Sequence, residues 1–278
     1  MSCPSLAATL EPMPGRLVDT GGPRLYVTDN GQPGGPPLVF FHGLGWTHAL
    51  WRRQAARYGD RYRIIAGDTR GHGLSDKPPG PYTIAGMAED WIRALDALGV
   101  EQWCLVGFSQ GGRIAQQIAV TAPERTRALV VIGSGCRDNP ASRARMEQRL
   151  EAARQSTRHA AEVAAASIFS PAFIEREAGF VTRFIEQRAA LDFTPLAAAT
   201  LALLSFDVKA DLARVGCPAL VAVAGQDQLC SVPTATEVAE ALPHATLRTI
   251  PGSGHMVTLE QPAAVDALLD DFLHTHYH

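Results

Sequence analysis

The stretch that most constrains this chain is Gly107-Phe108-Ser109-Gln110-Gly111-Gly112. The apolar run Trp103-Cys104-Leu105-Val106 precedes it and reads as a buried strand. Residues 113–119 follow, with Ile114 and Ile118 on one face, and read as a helix. Strand, sharp turn and helix around G-x-S-x-G would hold a serine hydroxyl out at the top of a sheet, at the positive end of a helix. Such a turn forces Ser109 into a strained backbone, and Gly107 and Gly111 carry no Cβ to collide across it. The bland alternative is a glycine-rich turn with an ordinary serine, and the rest of the chain decides between the two.

Apolar runs alternate with helical patterns on both sides of this stretch. Residues 37–41, 62–66, 128–132, 219–223 and 246–250 read as strands. Residues 49–58, 84–98 and 234–242 read as helices, as does a final segment opened by Pro262. Residues 24–28 alternate, as one strand of an antiparallel hairpin would. This alternation implies an α/β fold with a mostly parallel sheet flanked by helices. From Cys136 to Ser205 the pattern breaks. No strand-like run occurs there, and residues 141–154, 160–168, 180–190 and 196–204 read as helices. They enter after a strand's C-terminal end, where ligands bind in open α/β sheets, so they read as a cap. The expected division is a core of 16–135 and 206–278, a helical cap of 136–205, and a loose N-terminal arm of 1–15.

Of the 278 residues, 46% are hydrophobic, enough for a sizeable core. A net charge of −3 offers no basic field for nucleic acid and no polybasic membrane signal. No apolar run reaches the roughly 20 residues that span a bilayer. The first 16 residues lack the basic start and apolar block of a signal peptide. The five cysteines, Cys3, Cys104, Cys136, Cys217 and Cys230, form no C-x-x-C and read as reduced thiols. A cytoplasmic protein is expected, without nucleic-acid or membrane partners and with self-association left open.

A serine hydroxyl is a poor nucleophile at neutral pH and needs a base in reach and an acid to orient that base. Of the nine histidines, His42, His72 and His255 follow strands, whereas His274, His276 and His278 sit in the terminal tail. His255 lies in a glycine-rich loop after the last strand and Asp227 in a loop after the preceding one. The order Ser109, Asp227, His255 is the one known for a strand–turn–helix serine. A turn aspartate and a surface histidine are the ordinary readings of the last two taken singly.

The chain resembles α/β-hydrolase-fold enzymes with a helical cap, in the branch of 3-oxoadipate enol-lactonases and haloperoxidase-like esterases. The matching stretches are His42-Gly43, Asp68-x-Arg70-Gly71-His72-Gly73-x-Ser75, Gly107-x-Ser109-x-Gly111-Gly112, Ala122-Pro123-Glu124-Arg125, Gly225-x-Asp227 and Gly254-His255. The resemblance implies Ser109 as nucleophile, His255 as general base and Asp227 as its partner. It implies an oxyanion hole from the backbone N–H groups of Leu44 and Gln110, structural roles for His42 and His72, and no metal or cofactor. Many members of the branch carry methionine where this chain has Gln110. Leu44-Gly45-Trp46 lacks the glycine-proline run common in carbon–carbon bond hydrolases of this fold. Position 109 is not Asp, which excludes the alkyl-enzyme chemistry of dehalogenases and epoxide hydrolases. Acyl transfer from a small ester or lactone is the implied reaction, with an acyltransferase, a biosynthetic cyclase or a slowly hydrolysing receptor as alternatives. Trp46, Phe108, Phe169 and Phe173 are candidates to line the pocket; of the cap arginines Arg137, Arg143, Arg145, Arg149, Arg154, Arg176, Arg183 and Arg188, ordinarily solvated surface on helices, any one is a candidate to meet a substrate carboxylate.

Overall fold

A computed structural model describes residues 5–278, and Cys3 lies outside the described residues. Eight strands form one sheet: β1 (Arg16–Val18), β2 (Leu25–Asp29), β3 (Pro37–Phe41), β4 (Arg63–Gly67), β5 (Trp103–Phe108), β6 (Thr126–Ile132), β7 (Ala219–Ala224) and β8 (Ala245–Ile250). Their order is β1-β2-β4-β3-β5-β6-β7-β8. β2 runs antiparallel to β1 and β4, and every other pairing is parallel. β5 and β7 are buried along their whole length, as strands covered on both faces must be. β8 closes one edge and alternates exposed and covered positions over most of its length.

Helices α1 (Arg52–Tyr58), α2 (Ile84–Ala97) and α3 (Gln110–Thr121) follow β3, β4 and β5. Five helices then separate β6 from β7: α4 (Pro140–Gln155), α5 (Thr157–Ile168), α6 (Pro171–Arg176), α7 (Ala178–Ala189) and α8 (Phe193–Leu204). Their starts are punctuated by side chains. Asn139, Ser156, Ser170 and Asp192 each accept a backbone N–H at the head of a helix, and Pro140 and Pro171 stand in the first turn. α9 (Val232–Ala241), the short α10 (Val257–Glu260) and α11 (Pro262–His276) complete the chain. His274 and His276 belong to α11, so the expected tail is helical. Ion pairs Arg53–Asp266 and Arg57–Asp270 join α1 to α11.

The N-terminal segment differs from the expected loose arm. Residues Leu6–Leu10 form a 3-10 helix. The Arg52 guanidinium donates to the carbonyls of Ala8, Glu11 and Pro12, and the Met13 N–H donates to His48 Nε2 at 2.9 Å. One arginine fork thus engages three carbonyls of the segment, of which, among the described residues, only that of Ala8 also has a partner within it, the Glu11 N–H. No helix among the described residues is long and apolar enough to cross a membrane.

Candidate active site

Ser109 joins β5 to α3 with φ 54° and ψ −115°, and it is the sole non-glycine at positive φ among the described residues. The turn is tight enough that a Cβ on Gly107 would lie 2.2 Å from the Gly111 carbonyl oxygen. A Cβ on Gly111 would lie 2.2 Å from that of Phe41. Any side chain at either place would push the elbow apart, so the glycines are required by close approach.

Two loops bring partners to the serine. His255 Nε2 lies 2.9 Å from Ser109 Oγ, and His255 Nδ1 lies 2.7 Å from Asp227 Oδ2. An ionised carboxylate only accepts, so Nδ1 carries the proton and Nε2 is left to accept from the serine hydroxyl. Asp227 Oδ1 in turn accepts the N–H groups of Leu229 and Cys230, each at 2.8 Å. The histidine loop is pinned from below by the buried Glu260, whose carboxylate accepts the N–H of Gly254 at 3.0 Å and that of Ser170 at 3.1 Å. Ser170 heads α6, so one carboxylate ties the His255 loop to the helices inserted between β6 and β7.

His42 and His72 lie behind the site. His42 donates from Nδ1 to the Gly43 carbonyl at 2.8 Å and accepts the Thr69 N–H on Nε2 at 3.1 Å. The peptide it orients is the one whose N–H belongs to Leu44. His48 makes a second Asp–His pair with Asp68, at 2.8 Å, but its Nε2 is taken by the Met13 N–H. Burial alone would raise the Asp68 carboxyl. The hydrogen bond from His48 and the charges nearby hold it below its ordinary value. Burial, with His42 beside it, pushes His72 down to about 3, and burial lowers His42 also. Below the unfolded value of about 6.5 the unfolded chain takes up protons that these folded histidines refuse. Stability is therefore full above that pH and is lost as pH falls toward the folded values. The thermal midpoint of His72→Gln should fall less steeply than that of wild type on acidification from about pH 7 to about pH 4. Parallel curves would contradict the assignment.

Ser109 stands between two small lobes. One is bordered by Leu44, Trp46, Phe108, Arg149 and Arg188. The other is bordered by Gln110, Arg113, Ser134 and Leu203. Met146, Leu229 and His255 line both. Phe108 also packs its ring 5.0 Å from that of His255. Phe169 and Phe173 lie elsewhere. Phe169 borders an outer cleft beside His255, and Phe173 is buried in the cap, stacked on Phe169 and edge-on to Phe180. Their apolar faces are consumed by cap packing, so neither borders the two lobes.

The helices between β6 and β7 contribute two arginines. Arg149 is buried and donates to Ser167 Oγ at 2.5 Å, with its Nε unpartnered. Arg188 is half-buried and donates to the carbonyls of Leu44 and Gly45. Neither forms an ion pair among the described residues. Burial lowers both, Arg149 to about 9 with Arg188 and Arg145 adding to the effect, and Arg188 to about 10. The position of Arg188 is legible in the sequence as a departure from pattern, that of Arg149 only in the fold. Arg149 stands on the buried stripe Ser142, Met146, Ala152 of α4, and Arg188 stands one turn after Phe184 on the buried face of α7.

A mostly parallel sheet, a strained serine at the end of its fifth strand and a helical insertion after its sixth define an α/β hydrolase. The alpha/beta hydrolase fold family matches residues 36–262, and the chain belongs to that family. It is similar to 3-oxoadipate enol-lactonase 2 of Acinetobacter baylyi, at 32% identity over 87% of this chain and 91% of the relative. It is also similar to a candidate carbamate hydrolase, RutD, of Caulobacter sp. (strain K31), at 31% identity over 85% and 90%. Among solved structures, a hydrolase from Pseudomonas aeruginosa superimposes with a TM-score of 0.83 at 30% identity, covering 91% of this chain and 96% of that one. These relatives support hydrolase activity in this chain.

Proposed function

We propose that the chain is a serine hydrolase of small carboxylic esters or lactones that works through an acyl-enzyme. The observation that carries the reading is the hydrogen-bonded row from Ser109 Oγ through His255 to Asp227. Ser109 Oγ attacks the carbonyl carbon while His255 Nε2 takes its proton. Asp227 holds the Nδ1–H tautomer and offsets the imidazolium charge. The negative charge on the carbonyl oxygen meets the N–H groups of Leu44 and Gln110, the latter at the positive end of α3. His255 returns the proton to the leaving oxygen as the carbon–oxygen bond breaks, and water repeats the two steps to release the acid. Nothing in this chemistry calls for a metal or cofactor.

The two lobes beside Ser109 suit a short acyl part and a small leaving group. An apolar lobe separates esters differing by one methylene by only about 1–3 kcal/mol. A series of p-nitrophenyl esters should therefore show broad, graded hydrolysis that falls as the acyl chain lengthens, with Ser109→Ala as the blank. Preference for chains of a dozen carbons or more would contradict the small-lobe reading.

A substrate bearing a carboxylate is the second reading, and Arg149 favours it. A buried guanidinium without an acidic partner carries a desolvation cost that an anion in the lobe would offset. An acidic lactone should outpace its neutral analogue. Equal rates would remove the reason to give Arg149 a role in binding.

A further inference from the structure

The turn that carries the Leu44 N–H is braced by the cap. Trp46 N–H donates to the Gly43 carbonyl at 3.0 Å and closes the turn on itself. Between them Gly45 sits at φ +70°, in the left-handed region where glycine moves at little cost. The peptide bearing the Leu44 N–H is held at its Gly43 carbonyl by His42 and by the Trp46 N–H, and the next two carbonyls, of Leu44 and Gly45, are left for a donor outside the turn to fix.

Arg188 of α7 does so. Its Nη1 donates to the Leu44 carbonyl at 3.4 Å and to the Gly45 carbonyl at 3.2 Å. The guanidinium lies against Gly45 so closely that a Cβ there would fall 2.1 Å from Nη1. One helical turn earlier, the Phe184 ring stacks on Trp46 at 5.1 Å and 26°, and the Arg188 guanidinium carbon lies 5.6 Å from the same ring. Two side chains of one cap helix therefore grip consecutive parts of the Leu44–Trp46 turn. Arg188 also lines both the lobe beside Ser109 and an outer groove bordered by Thr9, Leu10 and His72, so it forms part of the wall between them.

We infer that Arg188 is a positioning residue: its guanidinium, docked on the carbonyls of Leu44 and Gly45, aims the Leu44 N–H at the reacting carbonyl oxygen and makes that aim depend on the seating of the cap. The inference rests on the serine-hydrolase reading. It differs in kind from the part argued for Arg149. Two backbone carbonyls and an aromatic face already engage Arg188, whereas Arg149 has one hydroxyl and a thioether. A misdirected oxyanion donor weakens the transition state and leaves the ground-state complex alone.

The test compares wild type with Arg188→Met and Arg188→Lys on a neutral short-chain ester and on its carboxylate-bearing analogue. It adds inhibition by a short trifluoromethyl ketone, to which the serine adds to give a charged oxygen in the place of the transition state's. Arg188→Met should lose about 10–100-fold in kcat on both esters, somewhat less than deletion of an oxyanion donor costs, with KM within about threefold. The ketone's inhibition constant should rise by the factor by which kcat/KM falls. Arg188→Lys, which reaches one carbonyl with a point charge, should recover part of the loss. Unchanged kinetics on the neutral ester, with a raised KM confined to the anionic one, would overturn the inference and make Arg188 an anion contact. A kcat loss with an unaltered ketone constant would overturn it as well. Wild-type turnover that Ser109→Ala does not abolish would instead sink the serine-hydrolase reading, and this inference with it.

Discussion

Ser109→Ala should lower kcat by about 10⁴–10⁶-fold while the protein stays folded. The substitution deletes one atom, Oγ, from a residue whose backbone is fixed by its neighbours. The Ser109 N–H donates to the Ile132 carbonyl and its own carbonyl accepts from Gly112 and Arg113, so the elbow does not depend on the hydroxyl. In the proposed mechanism, what is lost is the nucleophile and the group from which His255 takes a proton. The residual rate would come from the N–H donors and from binding. Retention of more than about a tenth of the wild-type esterase rate would remove Ser109 from the reaction, since a true nucleophile leaves only the residual catalysis of its surroundings.

His255→Ala should cost about as much as Ser109→Ala, because the two act as one unit. The contrast lies with the other strand-end histidines. His42 has both ring nitrogens engaged by backbone groups, and His72 Nδ1 donates to the Arg70 carbonyl. Their removal should act through stability and the placement of the Gly43–Leu44 peptide, lowering the thermal midpoint more than the rate constant. If His72→Ala abolished turnover in a folded protein while His255→Ala did not, the assignment of the base would be wrong.

The strands most legible in the sequence are those whose physics is local. β3, β5 and β7 are covered on both faces, so they read as unbroken apolar runs. β1 is three residues long and was hidden, because Arg16-Leu17-Val18 shows no period. α6 was also missed, although Ser170-Pro171 is a cap followed by a first-turn proline, the signal that marks a helix start. The docking of the N-terminal segment could not be read at all. It depends on Arg52 and His48 reaching back some 35 to 44 positions along the chain.

In the candidate site, Ser109, Asp227 and His255 were legible because each ends a strand of one sheet, and strand ends meet. Phe173 misled because a buried phenylalanine in a cap looks the same whether it faces ligand or its own helices. Arg149 and Arg188 stood in view among many helical arginines. Arg188 is set apart by position, a charged residue one turn after Phe184 on the apolar face of α7, whereas α4 has no apolar stripe to mark Arg149. Glu260 left no such mark, since it acts through two N–H groups that only the folded chain brings to it.

Covalent acylation of Ser109 is tested by a fluorophosphonate ester, because its serine adduct resists the water that would release an acyl group. One phosphonyl group per chain is expected, found by peptide mass on the fragment carrying Ser109, with loss of esterase activity in proportion and no label in Ser109→Ala. Label on any other residue, or none in protein that still turns over ester, would contradict acylation at Ser109.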